Sequence, residues 1–163
     1  MGEAVLLQNR EFSYQSYMDA VIGKTSALFL MPIEGSAILA GANAAEATRV
    51  SSPFVKMGAL FQMQDDVLDL FGEKGRQDRG SDIKEGKISA LVVQYLAINP
   101  SDRSWLLNIL TKPRDETTDK MVQEVIERFR DRGALSAVLN SIKELSDQTN
   151  TAFGRVNSDK LTS

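Results

Sequence analysis

The first feature of chemical interest is a trio of aspartates, Asp65, Asp66 and Asp69, that lie close together in the sequence. At about 100° of helical rotation per residue, Asp65 and Asp69 are about 40° apart and Asp66 is about 60° beyond Asp69. No Lys or Arg occurs from Gly58 to Glu73, and like charges at this spacing repel each other. Because carboxylate oxygens are preferred ligands of Mg²⁺, the pattern predicts a divalent-cation site; the alternative is a solvated acidic face.

The composition narrows the chemistry further. The 163 residues include no Cys and no His, which excludes disulfides, Cys/His zinc sites, thiolate nucleophiles and imidazole acid–base catalysis. Carboxylates, Lys, Arg, hydroxyls and amides remain, and these suit hard cations such as Mg²⁺ and phosphate-bearing ligands. The formal net charge of −3 provides no basic excess, so neither nucleic acid nor an anionic membrane surface is expected as a partner.

The element that carries the aspartates is predicted to be a helix. Ser52 as N-cap and Pro53 at the first helical position predict its start, and it should run to about Phe71 and stop at Gly72. Elsewhere the apolar residues also recur with the helical period, and no segment alternates with period two. The sequence therefore predicts an all-α fold, with about seven helices in a single domain over 1–163.

Three further segments give expectations about burial and location. An apolar stretch at 26–45, rich in Ala and Gly, predicts a buried helix that Pro32 kinks or interrupts. The longest apolar run, 27–33, is too short to span a bilayer, and the first twelve residues lack the pattern of a signal peptide. A cytoplasmic location is therefore expected. The polar tail at 150–163 is expected to fray.

The sequence around the aspartates resembles a known family. The segment 61–72, FQMQDDVLDLFG, is similar to the second aspartate-rich motif of the trans-isoprenyl diphosphate synthases. The match continues through Gly80-Ser81-Asp82-Ile83 and the Gly86-Lys87 pair, and upstream Lys24-Thr25 resembles the family's Lys-Thr break. The likeness extends from about Tyr17 to Leu96 and is nearest to the farnesyl diphosphate synthase branch.

This resemblance implies an all-α, isoprenoid-synthase-type helical bundle around a deep cavity, usually present as a homodimer. It also implies a short-chain trans-prenyltransferase of the dimethylallyl or geranyl transferase type, which joins isopentenyl diphosphate to an allylic diphosphate. In such enzymes Mg²⁺ and basic side chains stabilise the departing pyrophosphate, which is electrostatic transition-state stabilisation. The allylic cation then alkylates the homoallylic double bond, and the released pyrophosphate is thought to take the proton, so no His is needed.

The resemblance also implies roles for individual residues of this chain. Asp65 and Asp69 would be metal ligands, with Asp66 a ligand or next to the metal. The catalytic residues implied are Lys24, Thr25 and Gln62, of which Lys24 would contact the allylic diphosphate together with Lys87. Asp82 would hold a metal-bound water or a lysine.

Each of these assignments has a plainer alternative. Taken alone, Lys24-Thr25 is more typical of a helix end, and Lys87 of an ordinary surface lysine. Gln62 is compatible with a polar residue on a half-exposed helix face, and Asp82 with a helix N-cap. It is the combination of these residues with the aspartate helix that favours a function.

The chain contains one DDxxD motif, whereas the resemblance implies a first aspartate-rich motif and isopentenyl-diphosphate-binding arginines in an N-terminal half. The sequence therefore corresponds to the C-terminal portion alone, and we expect a partner chain or a longer parent protein to supply the rest. Gln77-Asp78 stand where the farnesyl branch usually has Gly-Lys, and 158–163 replaces the family's basic tail. These departures support an alternative, a non-catalytic regulatory subunit of a full-length synthase. A helical structural protein that binds no ligand is a third hypothesis.

Overall fold

A computed structural model describes the backbone of residues 12–72 and 79–161, and their side chains other than those of 25–27 and 156–161. These ranges form helices and turns and contain no strand, so the all-α prediction is confirmed. The α-helices are α1 (Tyr14–Leu39), α2 (Ala44–Phe71), α3 (Ser81–Lys84), α4 (Ala90–Ile98), α5 (Arg103–Leu110), α6 (Asp119–Asp131) and α7 (Ala134–Leu161). Two 3₁₀ helices, Pro100–Asp102 and Arg114–Glu116, precede α5 and α6.

The helices group into two compact units. The first comprises the described residues of Met1–Tyr17 and Met63–Leu139. Helix α4 is apolar apart from Gln94 and the hydroxyl of Tyr95, and it is buried from Ala90 to Val93. The ring of Tyr95 lies 4.9 Å from that of Phe129 on α6, measured between centroids. This apolar core anchors the loop and helix ends that carry the candidate site of the unit.

The second unit comprises Met18–Gln62 and the described residues of Asn140–Ser163. Phe54 of α2 and Phe153 of α7 meet edge to face with their centroids 5.1 Å apart. Lys56 Nζ donates to Gln148 Oε1 at 3.3 Å between the same two helices. Whether the chain forms one domain stays a prediction.

Helix α2 begins earlier than the sequence predicts, so the prediction of a start at Ser52 is wrong. Asn43 Oδ1 accepts from the Glu46 backbone N–H (3.0 Å), and Glu46 Oε2 accepts from the Asn43 backbone N–H (2.9 Å). This reciprocal capping pair fixes the start of α2, and Pro53 lies inside the helix. Pro53 has no N–H for the carbonyl of Arg49, but the Ser52 hydroxyl donates to that carbonyl at 3.3 Å. The predicted end at Phe71 is confirmed.

Helix α1 also differs from its prediction, because it is neither interrupted nor buried along its apolar segment. It runs from Tyr14 to Leu39 with Pro32 inside. Met31 and Leu39 are 72% and 91% exposed, and Leu28 and Ile38 are exposed as well. The four exposed residues lie within about 100° of the helix circumference, so they form one apolar stripe. The prediction of burial is wrong because an apolar helix face can also be exposed, as in surfaces that bind another protein.

Helix α7 continues past Asn150 to Leu161, through most of the segment for which fraying is predicted. Fraying itself stays a prediction. None of the described helices is both long and apolar enough to cross a membrane.

Candidate active site

Asp66 is the most deeply buried carboxylate of the aspartate trio, with 1% of its surface exposed. Its Oδ2 accepts from the Tyr17 hydroxyl and from the Ala90 backbone N–H, both at 2.8 Å. Its Oδ1 accepts from Lys87 Nζ at 2.8 Å. A buried charge is tolerated when it is paired and hydrogen-bonded, and all three donors lie in the first unit with Asp66. Asp66 thereby joins α1, α2 and the first turn of α4.

Lys87 lies between two carboxylates in the loop before α4. Its Nζ donates to Asp82 Oδ2 at 2.9 Å as well as to Asp66 Oδ1, while the side chain stays 36% exposed. Burial alone would lower the pKa of Lys87, but its hydrogen bonds to Asp66 and Asp82 outweigh burial and raise that pKa. Burial raises the pKa of Asp82, and Lys87 opposes that rise. With both carboxylates ionised, this Asp66–Lys87–Asp82 cluster carries one net negative charge.

Asp69 fixes the short helix α3. Its Oδ1 accepts from the Ser81 hydroxyl at 2.6 Å, and its Oδ2 accepts from the Asp82 backbone N–H at 3.1 Å. The Gly80 N–H donates to the Asp69 carbonyl at 3.1 Å, and Gly80 has a left-handed φ of 80°. Asp82 therefore lies within the first turn of α3 and is not its N-cap, which rules out that alternative. Asp69 sets the position from which Asp82 reaches Lys87.

Asp65, in contrast, is exposed, and it makes no hydrogen bond or ion pair with the described residues. The three aspartates thus have three different surroundings, although the sequence presents them as one cluster. Asp66 and Asp69 are buried and hydrogen-bonded within the fold, whereas the oxygens of Asp65 are open to solvent.

The surroundings of the carboxylates indicate how this chain could bind the Mg²⁺ that the resemblance implies. No group of three or more acidic side chains within 12–72 and 79–161 is arranged to hold a metal ion. The oxygens of Asp66 and Asp69 already accept hydrogen bonds, which leaves Asp65. Mg²⁺ usually binds one or two carboxylates together with substrate phosphates and keeps several waters. The residues therefore fit a Mg²⁺ shared with a phosphate ligand and do not fit a three-carboxylate cage.

The remaining predicted residues belong to the second unit. Lys24 is exposed on α1, and Gln62 is half-buried on α2. Lys24-Thr25 lies in the middle of α1, which rules out the alternative of a helix end. The side chain of Thr25 lies outside the described ones. The roles of Lys24, Thr25 and Gln62 stay predictions.

The structure describes only part of the loop in which Gln77-Asp78 departs from the family pattern. Gln77-Asp78 lies outside the described residues. Arg79 Nη2 donates to the Gly72 carbonyl at 3.1 Å. Arg79 also lines an open groove of about 590 Å³ together with Asp119 and Lys120 of α6. The groove is lined by charges of both signs, and no residue predicted for the site lines it.

Tyr17 and the Ala90 N–H are the contributors that sequence reasoning missed. The sequence gives Tyr17 only as one position on an apolar helix face. The available signal is chemical, because a buried tyrosine hydroxyl usually has a hydrogen-bond partner. Which of 22 acidic residues it contacts depends on tertiary packing over 49 positions.

The geometry defines a class of protein: all-helical, with a buried aspartate that holds a lysine near the end of an aspartate-rich helix. Comparison with known proteins agrees. Residues 1–129 match the family model described as polyprenyl synthetase. The chain therefore belongs to the polyprenyl synthetase family.

Individual relatives give the extent of the match. A short chain isoprenyl diphosphate synthase of Methanocaldococcus jannaschii is 33% identical over 131 residues, which are 77% of this chain and 39% of the relative. Farnesyl pyrophosphate synthase 2 of Cannabis sativa is 35% identical over 98 residues, or 60% of this chain and 29% of the relative. The crystal structure of a geranylgeranyl pyrophosphate synthase matches with a TM-score of 0.77 at 23% identity, over 94% of this chain and 48% of that one. This chain thus spans less than half the length of these relatives.

Proposed function

We propose that this chain supplies the second aspartate-rich half of a Mg²⁺-dependent trans-prenyl diphosphate synthase site. The substrates would be isopentenyl diphosphate and an allylic diphosphate of the short-chain type. The observation that carries the proposal is the Asp66–Lys87–Asp82 cluster one residue from exposed Asp65, in a member of the polyprenyl synthetase family. Family membership alone would not say which side chains remain free for a ligand.

The electrostatics of the cluster favour a metal–diphosphate complex over bare diphosphate. Lys87 has three N–H donors, and two are used by Asp66 and Asp82, so one remains for a phosphate oxygen. The surrounding carboxylates, however, leave a net negative charge that repels a free anion. Mg²⁺, when bound, would offset the charge of the diphosphate and of the departing pyrophosphate. Asp65 would be the carboxylate that holds it.

The chain's own residues would then act by positioning and charge. Lys87 would bind the allylic diphosphate and stabilise the pyrophosphate as the allylic C–O bond breaks and the electron pair leaves with it. Lys24 would contact the same diphosphate, and Thr25 and Gln62 would stabilise the allylic carbon while it forms a C–C bond with the isopentenyl double bond. The proton lost from that adduct goes to pyrophosphate, which requires no base from this chain.

We further propose that the active protein contains a segment with the first aspartate-rich motif, supplied by a partner chain or by a longer form of this one, in a homodimer or a heteromeric complex. The share of the relatives' length that the chain spans, 39% and 29%, supports this. Within the aspartate trio only Asp65 is exposed, and one carboxylate is too few to hold several metal ions around a diphosphate.

The test is product formation from isopentenyl and allylic diphosphates with Mg²⁺. We expect little or no product from the 163 residues alone. Product should form when the unmatched portion of the Methanocaldococcus jannaschii relative is added, and Asp65→Ala should abolish it. The matched control is Asp115→Ala, which removes another exposed aspartate.

Two results would contradict the proposal. Robust activity of the isolated chain would refute its incompleteness. Activity of a complex that is insensitive to Asp65→Ala would favour the non-catalytic regulatory subunit.

A further inference from the structure

Tyr17 is a buried polar residue that the proposed function does not use. It lies on α1, 8% exposed, and its hydroxyl donates to Asp66 Oδ2 at 2.8 Å. Burial, followed by the proximity of Asp66, raises the pKa of Tyr17 far above its usual value, so the phenol remains a donor at neutral pH. A buried hydroxyl aimed at a buried carboxylate is a specific arrangement, because an apolar ring would pack there without needing a partner.

Tyr17 and Ala90, which both donate to Asp66 Oδ2, belong to different elements. The Ala90 N–H belongs to the first turn of α4, and the Tyr17 hydroxyl comes from α1. A single N–H would still allow the carboxylate to rotate about its terminal torsion, which is broad for Asp. A second donor on the same oxygen restricts that rotation and holds Oδ1 toward Lys87.

The location of the Lys87 ammonium depends on the orientation of the Asp66 carboxylate. The long aliphatic stem of Lys87 has many rotamers, and its ammonium donates to the carboxylates of Asp66 and Asp82 within the described part of the chain. Asp66 is buried and held from two sides, whereas Asp82 is only partly buried. The location of the Lys87 ammonium therefore follows the Asp66 carboxylate.

We propose that Tyr17 is a positioning residue, whose hydroxyl orients Asp66 so that the Lys87 ammonium is held ready for a phosphate oxygen. The inference rests on the proposed function in one respect, the assignment of Lys87 as a phosphate ligand. It adds a residue on α1 that touches neither substrate nor metal and acts through two other side chains.

The test compares Tyr17→Phe with Tyr14→Phe in the full chain. Tyr14 lies one turn earlier on α1, and its hydroxyl makes no hydrogen bond with the described residues. The first readout is the side-chain ammonium signal of Lys87 in a proton–nitrogen NMR spectrum, assigned by its loss in Lys87→Arg. The second is the affinity for Mg²⁺ plus inorganic pyrophosphate, measured by isothermal titration calorimetry.

We expect Tyr17→Phe to shift or broaden the Lys87 signal and to weaken binding about tenfold, as is typical for removal of an outer hydrogen-bond partner. Tyr14→Phe should change neither. An unchanged Lys87 signal in Tyr17→Phe would overturn the inference, and so would a changed signal with unchanged affinity. If the wild-type chain binds no Mg²⁺–pyrophosphate but the signal still responds to Tyr17→Phe, the positioning stands and the proposed function fails.

A second variant covers the case in which Tyr17→Phe does not fold. Incorporating 3-fluorotyrosine at position 17 keeps the ring and the hydroxyl but makes the phenol more acidic. The Lys87 signal should then shift in a chain whose circular dichroism is native. A native chain with an unshifted Lys87 signal would overturn the inference.

Discussion

Asp65 and Asp66 are adjacent in sequence and carry the same side chain, yet their surroundings are opposite. Asp66 accepts hydrogen bonds from Tyr17, Lys87 and Ala90 in the interior of the first unit, and Asp65 faces solvent. Sequence reasoning places both within one acidic cluster, because charge and helical angle are all that the sequence shows. It cannot separate them, since the donors to Asp66 come from Tyr17, Lys87 and Ala90, which lie at distant positions.

This contrast predicts unequal effects on stability. Asp66→Ala removes the acceptor of the buried Tyr17 hydroxyl and of the Ala90 N–H and leaves the half-buried Lys87 with Asp82 alone, so we expect it to lower the free energy of unfolding by about 3–5 kcal/mol. Asp65→Ala should change that free energy by about 0.5 kcal/mol or less, because the side chain is exposed. Urea denaturation followed by circular dichroism measures both, and equal losses would contradict the assignment.

For the helices, the sequence predicts a boundary correctly where the cause is a single local residue. The prediction is wrong where a neighbouring side chain replaces a backbone hydrogen bond that the sequence indicates is lost. The end of α2 at Phe71 follows from Gly72, where an added Cβ would lie 2.4 Å from the Leu68 carbonyl oxygen. The start of α2 was misplaced because Ser52 and Pro53 resemble a helix start. In the structure Ser52 instead satisfies the carbonyl that Pro53 leaves open.

The turn into α3 yields a prediction about Gly80. Its φ is +80°, and a Cβ there would lie 2.3 Å from Val122 Cγ1, so Gly80→Ala combines backbone strain with a clash. We expect a loss of about 1–3 kcal/mol in the free energy of unfolding. Gly154→Ala is the control, since that glycine lies in α7 with open space around its Cα and should stabilise the helix slightly. Thermal denaturation that ranks the two variants the other way would refute this account of the turn.

The link between α4, the first 3₁₀ helix and α6 predicts a response to acid. The Asp102 carboxylate accepts from the Tyr95 hydroxyl and pairs with Arg132 and Arg128, and these contacts lower the pKa of Asp102. A carboxyl whose pKa is lowered by folding contributes stability above its unfolded pKa, and this stability is lost as pH falls through the folded value. Wild-type protein should therefore lose stability below pH about 4 more steeply than Asp102→Asn. Parallel pH profiles from urea denaturation would contradict this.

For the whole molecule, the chain belongs to the polyprenyl synthetase family, and its matched region covers 39% and 29% of the length of the two relatives described above. Leu28, Met31, Ile38 and Leu39 form an exposed apolar stripe on α1. Exposed apolar patches often mark surfaces that contact another protein segment. The sequence correctly marked this segment as apolar. The sequence cannot show that these four side chains are exposed among the described residues, because apolarity does not identify what packs against a helix.

Because the stripe is exposed, we expect polar substitutions in it to leave the stability of the fold nearly unchanged. Met31→Lys together with Leu39→Lys should leave the free energy of unfolding within about 0.5 kcal/mol of wild type and reduce any self-association of the chain. Val21→Lys on the same helix should unfold the chain, because Val21 is buried. Sedimentation velocity and urea denaturation measure these effects. A large stability loss in the double variant would mean that the stripe is packed within this chain.

Calorimetric titration of the chain with inorganic pyrophosphate, with and without Mg²⁺, tests most directly whether Asp65 and Lys87 form a shared metal–diphosphate site. We predict binding only when Mg²⁺ is present, a loss of that binding in Asp65→Asn, and no change in Asp115→Asn. Binding that needs no Mg²⁺, or that survives Asp65→Asn, would contradict the assignment of Asp65 and Lys87 to a shared metal–diphosphate site.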